Sequence, residues 1–220
     1  MKRRGFFITL EGIDGTGKST QFRRLLLHLR KQGYKVRATR EPGGTPVGEK
    51  VRAILMTEKD DLSALAELAL FYAARAQHVE KVIRPALERG ELVVSDRFND
   101  CSFVYQGYAR GLGTKAVRLF DRVICGPTQP DLTLVLDLDA RFALERALDR
   151  DAGSGTSRFE AAGLEFQQRA RAGYLARARR EPERVRVIDA SLSMREVQTE
   201  IANVVNEVLR GRGQKPEVRS

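Results

Sequence analysis

The chain has 220 residues, 42% of them hydrophobic and 31% charged, with 39 Lys and Arg against 29 Asp and Glu. That length admits one large domain or two small ones, and a core that needs no disulfide or metal staple. The formal charge of +10 points to an anionic partner, while no window approaches 18 uninterrupted apolar residues, which excludes a membrane-spanning helix.

Residues 1–5 carry three cations and residues 210–220 a net three more, which leaves +4 on the body between them. Both ends, 1–4 and 212–220, read as flexible, solvated tails. The apolar run after residues 1–4 is too short for a secretion signal. β-forming runs then occur at 6–11, 35–39, 92–95, 132–138 and 185–188. Helical patterns fill the intervals, at 18–32, 47–57, 62–88, 114–124, 140–150, 158–180 and 193–210. Short buried strands alternating with helices predict an α/β fold: one domain over 1–220, with a five-stranded parallel sheet flanked by helices on both faces.

Two loops have unusual composition. Residues 40–46 read REPGGTP, and residues 151–157 read DAGSGTS between two Arg-bearing helices. The second predicts a short mobile lid at about 146–160. Cys101 and Cys125 lack metal spacing and fit a reduced, cytoplasmic setting. With only His28 and His78, a Ser-His-Asp triad or a multi-histidine metal site is disfavoured.

Residues 12–19, GIDGTGKS, match G-x-x-x-x-G-K-[ST] after a β-run and before a helical run. Glycines let backbone N–H groups turn inward around an anion, and the helix start adds roughly half a positive charge. This predicts that Gly12, Ile13, Asp14, Gly15, Thr16, Gly17, Lys18, Ser19 and Thr20 bind a nucleoside triphosphate. Lys18 reaches its β/γ-phosphates and the Ser19 hydroxyl faces Mg²⁺. No N-K-x-D segment occurs, which disfavours a guanine-nucleotide switch. The run 92–95 ends in Asp96-Arg97. Asp96 at that sheet edge suits Mg²⁺, directly or through water, and Arg97 suits a second phosphate group.

The strings FITLEGIDGTGKSTQ (7–21), TREPGGTPVGE (39–49), LFYAARAQHVEKVIRPAL (70–87), SDRFNDCSFVYQG (95–107) and RFEAAGLEFQQRARAGY (158–174) together resemble the bacterial thymidylate kinases, P-loop nucleoside monophosphate kinases, over nearly the whole chain. The resemblance implies the P-loop NTPase fold and transfer of phosphate from ATP, with Mg²⁺, to dTMP for dTTP synthesis. It also implies a homodimer, with neither nucleic acid nor membrane as partner. Phe71, Arg75 and His78 share one helix face, and the resemblance assigns Phe71 to stacking on the pyrimidine and Arg75 to a ring carbonyl. It gives Ser102 and Gln106 the base edge, Tyr105 the sugar 2′ side, and Asp14 the 3′-hydroxyl. Arg97, Arg40 and Arg52 would hold the acceptor phosphate in a loop that includes Glu41. Cys101 stands where many relatives carry Ser, and Gly15 where some carry Arg. Catalytic charge therefore falls to Lys18, Arg97 and the lid arginines Arg150 and Arg158, with Arg146 on ATP. The alternatives are another deoxynucleoside or monophosphate kinase, or a P-loop ATPase stimulated by nucleic acid.

Overall fold

The computed structural model describes residues 4–57, 62–151 and 161–216. Five parallel strands form one sheet: β1 (Phe6–Glu11), β2 (Val36–Arg40), β3 (Leu92–Asp96), β4 (Leu132–Asp137) and β5 (Val185–Asp189), in the order β2-β3-β1-β4-β5. The three inner strands are buried nearly throughout, because helices cover both faces. The edge strands β2 and β5 are partly exposed. Alternation divides the core. Phe6, Ile8 and Leu10 pack on one face with Leu25, Leu29 and Ile201, while Phe7 and Val93 pack on the other with Tyr72, Leu87 and Val117.

The first four helices are α1 (Lys18–Lys31), α2 (Pro46–Thr57), α3 (Ala64–His78) and α4 (Arg84–Glu88), followed by α5 (Asn99–Ser102) and α6 (Thr114–Ile124). Among the described residues, the helices that follow are α7 (Ala140–Asp151), α8 (Gly163–Arg180) and α9 (Met194–Gly211). The Ser193–Glu196 capping box starts α9, and Val197, Ile201, Val205 and Leu209 bury its apolar stripe.

The helix expected over 62–88 is interrupted by a π-helical turn at Val79–Ile83. Pro85 follows at once and has no N–H to donate, so the ladder changes register there. The stretch 97–113, to which periodicity assigns no element, holds α5 and a second π-helical segment, Phe103–Ala109. Its aromatic and β-branched residues and Gly107 hide the helical period.

The described parts of the two expected tails are held to the body. Arg4 pairs with Asp131 at 3.2 Å, and Gln214 Nε2 donates to the Arg4 carbonyl at 3.2 Å.

Candidate active site

The loop Gly12–Gly17 leaves β1 and enters α1, as the motif requires. A Cβ on Gly12 would lie 2.5 Å from the Leu136 carbonyl oxygen, and one on Gly15 would lie within bonding distance of the Ala143 carbonyl oxygen. Both residues have positive φ, so glycine is required on two grounds. Thr16 Oγ1 and Lys18 Nζ both donate to the Ile13 carbonyl, at 2.9 and 2.7 Å, which fixes the turn from inside. Ile13 and Thr16 are buried and serve the loop's shape. Burial, reinforced by the Arg97 charge, lowers the Lys18 pKa to about 8.

Beside this loop, β3 ends in Asp96, and the next residue turns sharply. Arg97 has φ 68°, the left-handed region that non-glycine residues rarely adopt. Such a conformation costs about 1–3 kcal/mol and persists only where its surroundings hold it. Here its N–H donates to the Leu10 carbonyl at 3.0 Å, and Ser95 Oγ donates to its carbonyl at 2.7 Å. The guanidinium donates from Nη1 to the Gly12 carbonyl at 3.0 Å, and from Nη2 to Asp14 Oδ1 at 2.7 Å.

Glu11 lies beneath this group, fully buried. It accepts from the Phe98 N–H at 2.8 Å and from Tyr174 Oη at 2.7 Å. Burial raises its pKa to about 7 against the opposing pull of Arg97. Sequence reasoning assigned no role to Glu11 or to Tyr174, although both lie inside quoted motif strings.

The loop after β2 is held by a second buried cluster. Glu41 Oε2 accepts from Arg75 Nε at 2.7 Å, and Oε1 meets His78 Nδ1 at 2.9 Å. His78 Nε2 meets Thr39 Oγ1 at 2.6 Å. The Arg75 charge and the hydrogen bonds from His78 and Arg75 hold the Glu41 carboxyl below its usual range despite burial. Arg75 also donates to Ser102 Oγ and to the Phe98 carbonyl, each at 3.0 Å, and reaches Cys101 Sγ at 3.9 Å. That accounts for four of its five N–H groups. Glu49 accepts from the Gly44 N–H and from Arg40 Nη2, and Arg52 Nη1 donates to the Pro42 carbonyl, so both arginines brace the loop rim.

These elements enclose a cavity of about 580 Å³. From the Gly-rich loop it takes Asp14, Gly15, Gly17, Lys18, Ser19 and Thr20, and from the sheet edge Asp96 and Arg97. Arg40, Glu41 and Arg52 line it too, as do Phe71, Tyr105, Gln106 and Arg146. Arg75 and Ser102 differ from the expectation. Both are wholly buried and stand outside the lining residues, Arg75 bonded to Glu41 and Ser102 to Arg75. Gly12 and Ile13 support the nest from below. Arg158 falls outside the described residues, as does the side chain of Arg150. Arg23, Pro42, Met56 and Cys101 also line the cavity. Arg23 lies on the second turn of α1, in a run with nothing to distinguish it from a solvated helix face.

Among the described residues, no group of three or more His, Cys, Asp or Glu side chains could hold a metal by itself. Ser19 and Asp96 both line the cavity, and the Asp96 carboxylate makes no hydrogen bond or ion pair among the described residues. A hydroxyl and an uncommitted carboxylate suit a hard cation whose remaining ligands come from phosphate and water.

A parallel sheet that delivers a phosphate nest and an Asp-Arg step to one edge, from neighbouring strands, is the P-loop NTPase fold with its nucleotide site. A family model described as thymidylate kinase matches residues 10–201. A thymidylate kinase of Symbiobacterium thermophilum is 47% identical over 215 residues, spanning 96% of this chain and 99% of that protein. One of Solidesulfovibrio magneticus is 48% identical over 208 residues, spanning 92% and 100%. The crystal structure of thymidylate kinase from Ehrlichia chaffeensis superposes with a TM-score of 0.74 at 32% identity, covering 92% of this chain and 99% of that one. The chain belongs to the thymidylate kinase family.

Proposed function

We propose that this protein transfers the γ-phosphoryl group of ATP to the 5′-phosphate of dTMP, giving ADP and dTDP. The observation that carries this reading is the convergence of two phosphate-directed cations on one cavity. Lys18 enters from the Gly-rich loop and Arg97 from the end of the neighbouring strand, and the wall between further side chains includes the flat ring of Phe71. ATP lies along Gly12–Thr20 with Arg146 beside it. The acceptor phosphate lies at Arg97, Arg40 and Arg52, and its base stacks on Phe71.

The attacking group is a phosphate oxygen. A phosphate monoester has a second pKa of about 6, so this oxygen is ionised at neutral pH and needs no general base. The barrier instead lies in bringing two polyanions into line. Lys18 neutralises the donor phosphates and Arg97 neutralises the acceptor, with Arg150 or Arg158 supplying further charge from the lid. Ser19 and Asp96 would hold Mg²⁺, which when bound neutralises charge on the β- and γ-phosphate oxygens. Covering the cavity excludes water as a competing acceptor.

The working form is a homodimer. Leu119 and Val123 support this, 62% and 75% exposed one helical turn apart on α6. Two free, buried thiols, Cys101 and Cys125, suit a cytoplasmic setting. The test is an acceptor panel of dTMP, dUMP, dCMP and thymidine with ATP and Mg²⁺. The expected result is highest kcat/KM on dTMP. Absence of dTMP phosphorylation, or preference for the unphosphorylated nucleoside, overturns the reading.

A further inference from the structure

Of the helix face that carries Phe71, Arg75 and His78, the histidine has no part in the proposed reaction. It closes α3, is fully buried and stands outside the cavity lining. Its ring nevertheless meets the loop after β2 at three points. Nδ1 lies 2.9 Å from Glu41 Oε1, Nε2 lies 2.6 Å from Thr39 Oγ1, and a Cβ on Gly44 would stand 2.7 Å from Nε2. Arg75, one turn earlier on α3, holds the other Glu41 oxygen, so a single helix face grips both oxygens of one carboxylate. Glu41 lines the cavity, and its own N–H donates to the Asp96 carbonyl at 2.9 Å.

These partners assign the hydrogen on the ring. The Glu41 carboxylate, paired with the Arg75 guanidinium, accepts hydrogen bonds and donates none. Nδ1 therefore carries a hydrogen. A ring with its hydrogen on Nε2 alone would set a lone pair against the carboxylate. The Thr39 hydroxyl both donates and accepts, so it suits Nε2 in either state.

Resting on the proposed acceptor, we infer that His78 is a positioning residue for the acceptor substrate: its Nδ1–H aims Glu41, and through Glu41 it sets the loop whose Arg40 and Pro42 face the cavity. A ring that only filled space would be replaced best by the side chain nearest to it in size. A positioning donor is replaced best by the side chain that keeps an N–H at the Nδ1 place.

Two substitutions separate these roles. In His78→Asn the amide nitrogen is bonded to Cγ and takes the place of Nδ1. In His78→Gln it sits one carbon further out, toward Thr39, although glutamine fills more of the space. KM for dTMP should stay within threefold of wild type in His78→Asn and rise about tenfold in His78→Gln, the size of one lost hydrogen bond to a charged group. KM for ATP should stay within twofold in both. A rise for dTMP below threefold in His78→Gln overturns the inference. So does a rise as large in His78→Asn, or an equal rise for ATP. Nitrogen NMR of the wild-type full chain labelled with ¹⁵N-histidine tests the assignment without any variant at this position. The chain has only His28 and His78, and a His28→Gln sample tells their signals apart. Nδ1 of His78 should show the protonated shift at neutral pH, and an unprotonated Nδ1 overturns the inference. Wild-type protein that phosphorylates no dTMP defeats the proposed reaction instead and leaves the NMR result standing, so the two failures are distinct.

Discussion

The Tyr174 hydroxyl donates to Glu11 Oε2 at 2.7 Å while accepting from Arg97 Nη1 at 3.1 Å. One phenol thus joins α8 to the end of β1 and to the residue with the left-handed backbone. Replacing Tyr174 by Phe keeps the ring and leaves Glu11 short of a donor. Stability should fall by about 1–3 kcal/mol. With Arg97 less firmly aimed, KM for the acceptor should rise about tenfold while KM for ATP changes little. Urea melts and initial-rate kinetics on both substrates check this.

Glu11 makes stability depend on pH. Its folded pKa of about 7 lies above its ordinary value of 4.5. The folded state therefore holds a proton that the unfolded chain releases earlier. Its contribution is fully present below pH 4.5 and is lost as pH rises through 7, about 3 kcal/mol at most. Glu11→Gln should flatten that slope. Urea midpoints across pH 4.5–8 for both proteins measure it, and equal slopes would count against the buried-acid assignment.

Lys18 provides a second titration. In the nucleotide-free protein its pKa is about 8, so at pH 8 about half of the molecules carry a neutral amine. Triphosphate binding favours the ammonium form, and the complex should take up about half a proton near that pH. Calorimetry in buffers of different ionisation enthalpy reports the uptake directly. It should vanish in Lys18→Met.

Gly15 packs against the backbone of α7, with no room for a Cβ beside the Ala143 carbonyl oxygen. Its φ of 82° adds to the restriction. Gly15→Ala should therefore cost about 2 kcal/mol or more and weaken ATP binding by displacing the loop from the helix. Gly15→Arg, the residue of some relatives, should not act as a catalytic cation here. Thermal melts and ATP affinity decide the point, and an active, stable arginine variant would show that α7 yields.

The Gly-rich loop was legible because its chemistry is local: glycine spacing, lysine and hydroxyl all lie within eight residues. The helix face of Phe71, Arg75 and His78 was legible for the same reason. What Arg75 and His78 bond to was not, since Glu41 lies more than thirty residues away and meets them only after β2 and α3 have packed. Glu11 and Tyr174 are separated by 163 positions, and neither stands out from a core residue in the sequence. The expected strands were found with ends moved by a residue or so, because alternation marks where a strand is buried better than where it stops.

The pairing of Leu10 with Asp96 across β1 and β3 sets the strand ends that lead into the Gly-rich loop and into Arg97 one strand spacing apart, about 4.8 Å. Neither strand can slide without breaking its registers with β2 and β4. The relative placement of the points where the Gly-rich loop and Arg97 leave the sheet is therefore laid down when the sheet forms. Any change in the distance between Lys18 and Arg97 must come from the loops beyond these strand ends, not from the sheet.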